Sequence, residues 1–303
     1  MGRTMDDIRS RFVEVNGLRL HALQAGRGTP LVLLHGWPEW SHAWRPVMSR
    51  LADRFAMTAP DFRGFGASAK TALSPSNDAT PEQLADDTLA IADALGLQRF
   101  GLVAHDVGSF VAQTIARRAP ERITGLFFFN CAYPGIGARW VEPGHLLETW
   151  YQFFHQQPWA AELVGSSREA CRIYLRNFLA HWSHRQAWIA PELETWVDNF
   201  MQPGNLQGGF NWYRSIHAAR IAVIEGRSMP PPPIATPTRV LWGAHDPILK
   251  RTWTDRLPEF FSDLQLDVQP DTGHFVHLEA PDVAAEAIAA FFDGLAQRLP
   301  SLA

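Results

Sequence analysis

The chain is short of cysteine, tyrosine, long apolar runs and basic charge. Its 303 residues include two cysteines, Cys131 and Cys171, and neither belongs to a CxxC pair. A disulfide scaffold and a cysteine-built zinc site are therefore excluded, and both thiols read as small buried hydrophobes. No apolar stretch approaches the roughly 18 residues of a membrane span. The opening, MGRTMDDIRSRF, lacks the apolar core of a signal peptide, and Asp6 spoils a myristoylation motif. These features lead to an expected cytoplasmic location with no membrane partner. Lys+Arg total 27 against 31 Asp+Glu, a formal charge of −4. So mild an acidity gives no general attraction for phosphate backbones, and no nucleic-acid partner is expected.

What is present is an ordinary globular composition, 46% hydrophobic and 19% charged, long enough for one large domain or two small ones. Aromatics are abundant, with 12 Trp and 19 Phe. Many of the tryptophans fall between Trp140 and Trp212. They could simply fill a core; their density in one segment points to an aromatic-walled pocket.

RFVEVNGLRLHALQAG alternates around Asn16-Gly17, a hairpin signal. Strands are predicted over 31–35, 55–61, 100–106 and 123–132. A helix is predicted over 80–96, with Thr80 as N-cap, Pro81 at the first helical position and Gly96 past the end. A second helix is predicted over 108–119. Alternation resumes with TRVLWGAHD and LQLDVQPDTGH, followed by an Ala-rich helix over 283–299. Such alternation calls for a mostly parallel sheet flanked by helices. The stretch 134–233 differs: helix-like, aromatic and without a convincing strand. It ends in four prolines, which favour a stiff extended connection. The expected organisation is an α/β core from 1–133 and 234–303, with a helical cap inserted over 134–233.

The chemistry concentrates at predicted strand ends. In GLVAHDVGSF a strand meets a helix at Asp106, flanked two residues away on either side by Ala104 and Gly108. This is the pattern of a nucleophile elbow, with Asp where serine hydrolases carry Ser. A carboxylate is already ionised at neutral pH and can attack an sp³ carbon directly, giving an alkyl-enzyme ester. Asp is also among the best N-caps, and for this residue alone both roles stand open. Asp246 in WGAHDP and His274 in DTGHF also lie at strand ends. The chain order is nucleophile, acid, base, and strand ends of this kind converge at one edge of an open sheet. In HGWPEW, the Trp37 amide could join that of Val107 as an oxyanion hole. Pro38, which suits a cis bond, could equally serve a rigid turn. The pairs His181/His184 and His274/His277 lack an HExxH pattern or a third ligand, so no metal and no cofactor is expected.

HGWPEW, PDFRGFGAS, HDVG, WGAHDP and GHFVHLEAP together resemble the α/β-hydrolase-fold epoxide hydrolases and their haloalkane dehalogenase relatives. The likeness runs from about 12 to 292 and is weakest in the cap. It implies an α/β-hydrolase core, an epoxide and water as reaction partners, and two cap tyrosines that polarise the epoxide oxygen. By segment similarity these fall on Tyr151 in WYQFFHQQPW and Tyr213 in FNWYRS, two of only four tyrosines. Val107 stands where many dehalogenases place a halide-gripping Trp, or Arg in fluoroacetate-type enzymes. This weighs against the alternative of a haloalkane or haloacid dehalogenase. A non-catalytic ligand-binding member of the fold is a second alternative, disfavoured by the intact nucleophile, acid and base. His155, His181 and Trp182 are candidate pocket residues. A homodimer stays open.

Overall fold

The computed structural model describes residues 8–70 and 78–298, the side chain of the last excepted. The leader reading of the first seven residues and the outermost ends of the two expected core segments lie outside the described residues. The chain opens with a hairpin, β1 (Arg9–Val15) and β2 (Leu18–Ala25). Asn16 and Gly17 form its turn, both with positive φ, 52° and 71°, the conformation a two-residue hairpin loop needs. Then come β3 (Thr29–Leu34), α1 (Arg45–Leu51), β4 (Phe55–Pro60), α2 (Pro81–Ala94), β5 (Phe100–His105), α3 (Val107–Arg118) and β6 (Ile123–Phe129). Six helices follow without an intervening named strand: α4 (Leu146–Phe154), α5 (Ala160–Val164), α6 (Arg168–Trp182), α7 (Ile189–Phe200), α8 (Asn205–Ser215) and α9 (His217–Ile224). The core resumes with β7 (Thr238–Gly243), β8 (Leu264–Gln269), α10 (Val276–Glu279) and α11 (Pro281–Arg298).

The eight strands form one sheet in the order β1-β2-β4-β3-β5-β6-β7-β8. The pairs involving β2 are antiparallel, and β4 through β8 run parallel. The expected α/β architecture with an inserted helical region is therefore present. Predicted strands overrun by one to three residues at their C-terminal ends, as at 31–35 and 123–132. There the chain leaves the ladder for loops that carry polar side chains.

Alternate residues of the central strands serve opposite faces. Leu102, Ala104, Leu126 and Phe128 pack with α2, α3 and the inserted helices. Val103, Phe127 and Phe129 pack with α1 and α11, against residues such as Ile288 and Phe292. Covered on both faces, these strands read as continuous apolar runs. Each fully buried Phe contributes roughly 1.5–3 kcal/mol. Helix α2 begins as its sequence predicts: the Thr80 hydroxyl oxygen accepts a hydrogen bond from the Gln83 amide, 3.3 Å.

One close approach sets the position of everything that follows. A Cβ on Gly108 would lie 2.3 Å from the Leu34 carbonyl oxygen and 2.9 Å from that of His35. Helix α3 therefore starts in direct backbone contact with the end of β3. Gly108→Val should lower stability by about 1–3 kcal/mol. Chemical denaturation would read this, and an unchanged midpoint would show that the contact is slack.

Candidate active site

The side chain at the β5–α3 junction is held in an unusual backbone conformation. Asp106 has φ 47° and ψ −112°, a region costly for any residue but glycine. It occupies the N-cap position, yet its side chain makes no capping bond. Of the two roles open in the sequence, capping is thus not the one the carboxylate fills. Instead, its Oδ1 accepts the Trp37 amide at 3.0 Å. Gly36 makes room, since a Cβ there would meet Asp106 Cβ at 2.6 Å. His105 and Val107 on either side are buried, whereas Asp106 is partly exposed and faces a cavity.

The loops after β7 and β8 bring Asp246 and His274 together. Asp246 Oδ2 lies 2.7 Å from His274 Nδ1. Its Oδ1 accepts the amides of Ile248 and Leu249 at 2.8 and 2.9 Å. Asn130 Nδ2 donates to Oδ2 as well, while Asn130 Oδ1 accepts the Gly243 amide at 2.8 Å. Burial would raise the Asp246 pKa. The imidazole beside it and these donors outweigh burial and bring it below the usual carboxylate value. Burial likewise works against a charged His274, but Asp246 and, more weakly, Asp106 overcome it and raise the imidazole to about 9. His274 Nε2 is buried without a hydrogen-bond partner among the described residues, which leaves it available to a water.

The loop bearing His274 is fixed from three sides. Its own amide donates to the Trp182 carbonyl, 2.8 Å. Its carbonyl accepts from His105 Nε2 at 3.0 Å. His105 Nδ1 rests on Glu39 Oε2 at 2.9 Å, and His277 Nε2 on Glu39 Oε1 at 2.8 Å. Burial opposes ionisation of Glu39, but these two rings reverse the balance and hold it well below the usual carboxylate range. The third brace is Glu279, whose carboxylate accepts the amides of Gly273, Phe275, His184 and Arg185. His184 and Arg185 follow α6, so Glu279 ties the inserted helices to the His274 loop.

Glu39, His105 and His277 present three ligand atoms within 4.8 Å of one another. They are the one such group among the described residues. Their facing nitrogens are already committed to the Glu39 oxygens, so the three act as a hydrogen-bonded brace.

Tyr151 and Tyr213 line the same cavity as Asp106 and Val107, a space of about 320 Å³. Their rings meet edge to face at 5.5 Å, and Tyr151 stacks on Trp37 at 5.4 Å. Burial, together with the Asp106 carboxylate, pushes both phenols above their ordinary pKa. Both therefore keep their protons at neutral pH and can act as donors. The Val107 amide opens α3, where first-turn amides have no intrahelical acceptor, and the peptide bond from Trp37 to Pro38 is cis.

The other expected pocket residues lie elsewhere. His155 is buried, hydrogen-bonded through Nε2 to Tyr174 Oη at 2.6 Å and stacked on Phe210. It supports Tyr213 from behind, with ring centroids 4.6 Å apart. His181 is half exposed and contacts Glu148 at 2.7 Å. Trp182 packs its ring 5.1 Å from His274 and lies outside the cavity lining. Two of the three thus pack behind site residues, and His181 lies at the surface of the inserted helices. Sequence reasoning also passed over Glu39, Glu279 and Arg220. The signal for the two glutamates was a carboxylate set within an otherwise apolar run, as in HGWPEW and HFVHLEAP.

Comparisons with known proteins place the chain in one family. A family model described as alpha/beta hydrolase fold matches residues 29–281. Human Epoxide hydrolase 4 is 28% identical over 288 residues, covering 92% of this chain and 77% of that protein. The Soluble epoxide hydrolase of Corynebacterium sp. (strain C12) is 32% identical over 207 residues, 66% of this chain and 69% of that protein. The solved structure of the epoxide hydrolase CorEH without ligand superposes with a TM-score of 0.81 at 26% identity, covering 95% of this chain and 99% of that one. With the sheet, the elbow and the relatives in agreement, this chain belongs to the alpha/beta hydrolase fold family and is closely related within it to the epoxide hydrolases.

Proposed function

We propose that the protein hydrolyses an epoxide to a vicinal diol through an ester on Asp106. The observation that carries this reading is a shared cavity. An uncapped carboxylate on a strained turn and two protonated phenols line the same 320 Å³ space. A phenol suits an ether oxygen because it can donate a hydrogen bond first and a proton later.

In the first step an Asp106 oxygen attacks one ring carbon and the carbon–oxygen bond of the ring breaks. The departing alkoxide takes a proton from Tyr151 or Tyr213. In the second, His274 Nε2 removes a proton from water, and the hydroxide adds to the ester carbonyl. The Trp37 and Val107 amides donate to the resulting oxyanion. Collapse expels the diol as an alkoxide, which is protonated by His274, and the Asp106 carboxyl returns its proton to the tyrosinate. Asp246 holds His274 in the tautomer that leaves Nε2 free.

A raised pKa appears unsuited to a base, but the sequence of events resolves this. Esterification removes the Asp106 charge, one of the groups that favour the imidazolium. His274 thus gives up its proton to solvent once the ester exists, and takes one back when the Asp106 charge returns. Asp106→Asn should therefore lower the His274 pKa below the native value of about 9, read by NMR titration of the ring. An unaltered titration would show that the two groups are not coupled.

The covalent route has its own test. With His274→Ala, single-turnover mass spectrometry should show a stable adduct on Asp106 after addition of an epoxide. In the native protein, repeated turnover in H₂¹⁸O should place heavy oxygen in that carboxylate. Tyr213→Phe should slow adduct formation by roughly 10²–10⁴-fold while leaving adduct breakdown near its native rate. An aspartate that stays unlabelled throughout turnover would overturn the scheme.

A further inference from the structure

The cavity wall also holds a cation without an ionic partner. Arg220, on α9, lines the same space as Asp106, Tyr151 and Tyr213. Its guanidinium makes no hydrogen bond and no ion pair among the described residues, and Nη2 is buried without an acceptor. The closest group to a partner is the Trp140 ring face, 5.2 Å from Cζ to the centroid. Most other arginines here are differently placed. Arg63 grips Asp87 through two bonds, 2.6 and 2.7 Å, and Arg122, Arg139, Arg168 and Arg239 each pair with a carboxylate. Arg117, three turns along α3 from the elbow, also lines the cavity. It too has a buried Nη2 without an acceptor, although its Nε reaches the Pro232 carbonyl at 3.2 Å.

An unpaired, partly buried guanidinium is expensive, because burial disfavours the charged form. Burial does pull the Arg220 pKa down, and the two tyrosines only partly oppose it. Such a cost is offset when an anion arrives, and the planar fork of Arg matches a carboxylate in two parallel bonds. We infer that Arg220 is the recognition group for a carboxylate at the end of the substrate remote from the epoxide, so that the preferred substrates are epoxy carboxylic acids. This rests on the epoxide-hydrolysing reading of the site. It adds a substrate class that the nucleophile, the base and the tyrosines leave unspecified. The carboxylate also keeps the ring oriented. Anchored at Arg220, the chain presents its epoxide to Asp106 from one direction only.

The test uses straight-chain terminal epoxides of six to ten carbons, each as the free acid and as its methyl ester. The native protein should favour the acid in kcat/KM by roughly 10- to 100-fold, the range for a hydrogen bond to a charged group. Arg220→Gln should bring that ratio near one, and Arg220→Lys should restore part of it. A binding arm avoids dependence on turnover: calorimetry should detect hexanoate more tightly than hexanamide in the native protein, and not in Arg220→Gln. Turnover of acids and esters at equal efficiency, or a preference that survives Arg220→Gln, would overturn the inference and leave the epoxide reading intact. Failure to turn over any epoxide, with hexanoate still bound through Arg220, would overturn the epoxide reading instead.

Discussion

The site depends on one tight turn. Asp106 is kept at φ 47° because β5 ends and α3 begins with no room for a relaxed connection. The conformation costs on the order of 1–3 kcal/mol, and the surrounding structure enforces it. Gly108 lets α3 touch the Leu34 carbonyl, and Gly36 lets the preceding loop touch the Asp106 Cβ. Relaxing the turn would require β3, β5 and α3 to separate, at the centre of the sheet where burial is greatest. The strain has a use. It keeps the carboxylate from capping the helix and leaves it lining the cavity. A carboxylate that caps nothing and faces a cavity is what the proposed attack on carbon requires.

A second constraint acts on the partner of that carboxylate. His274 lies on a loop, and loops wander unless they are tied. Here the backbone of residue 274 is held at both its amide and its carbonyl, and the flanking amides converge on Glu279. Three buried acids share the work by different means. Asp246 orients the ring, Glu39 fixes His105 under the loop, and Glu279 gathers main-chain donors from both the core and the inserted helices. Each would be costly to bury alone; each is stable because every oxygen has a donor. One consequence is mechanical: displacement of the inserted helices near Trp182 would be felt at His274, because Trp182 and Glu279 join the two.

How far these features could be read in the sequence depends on their physical origin. The parallel strands were legible because burial on both faces makes them continuous apolar runs, and α2 because Thr80, Pro81 and Gly96 mark its ends. The elbow was legible as a location, between an apolar strand and small residues. Its function was not, since a carboxylate before a helix looks the same whether or not it caps. Only the backbone angle and the missing capping bond separate the two. Tyr151 and Tyr213 came from segment resemblance and do share the cavity with Asp106. His155, His181 and Trp182 are named only for lying in the cap, and sequence does not say which cap side chains face the cavity, because its helices pack through irregular aromatic contacts.

Arg220 shows the same limit from the other direction. In HAARIAVI it looks like an ordinary exposed cation on a short helix, and its sequence neighbours offer no reason to single it out. What marks it is the lack of a partner, a property of three-dimensional arrangement alone. Elsewhere this protein pairs most of its arginines with carboxylates at its surface, where such pairs contribute little. It leaves unpaired one that faces the cavity, where an ionic bond would matter most. A cavity that holds a carboxylate, two phenols and an unsatisfied cation carries two instructions for its ligand. The first sets what reacts, and the second sets which way round the reacting molecule must enter.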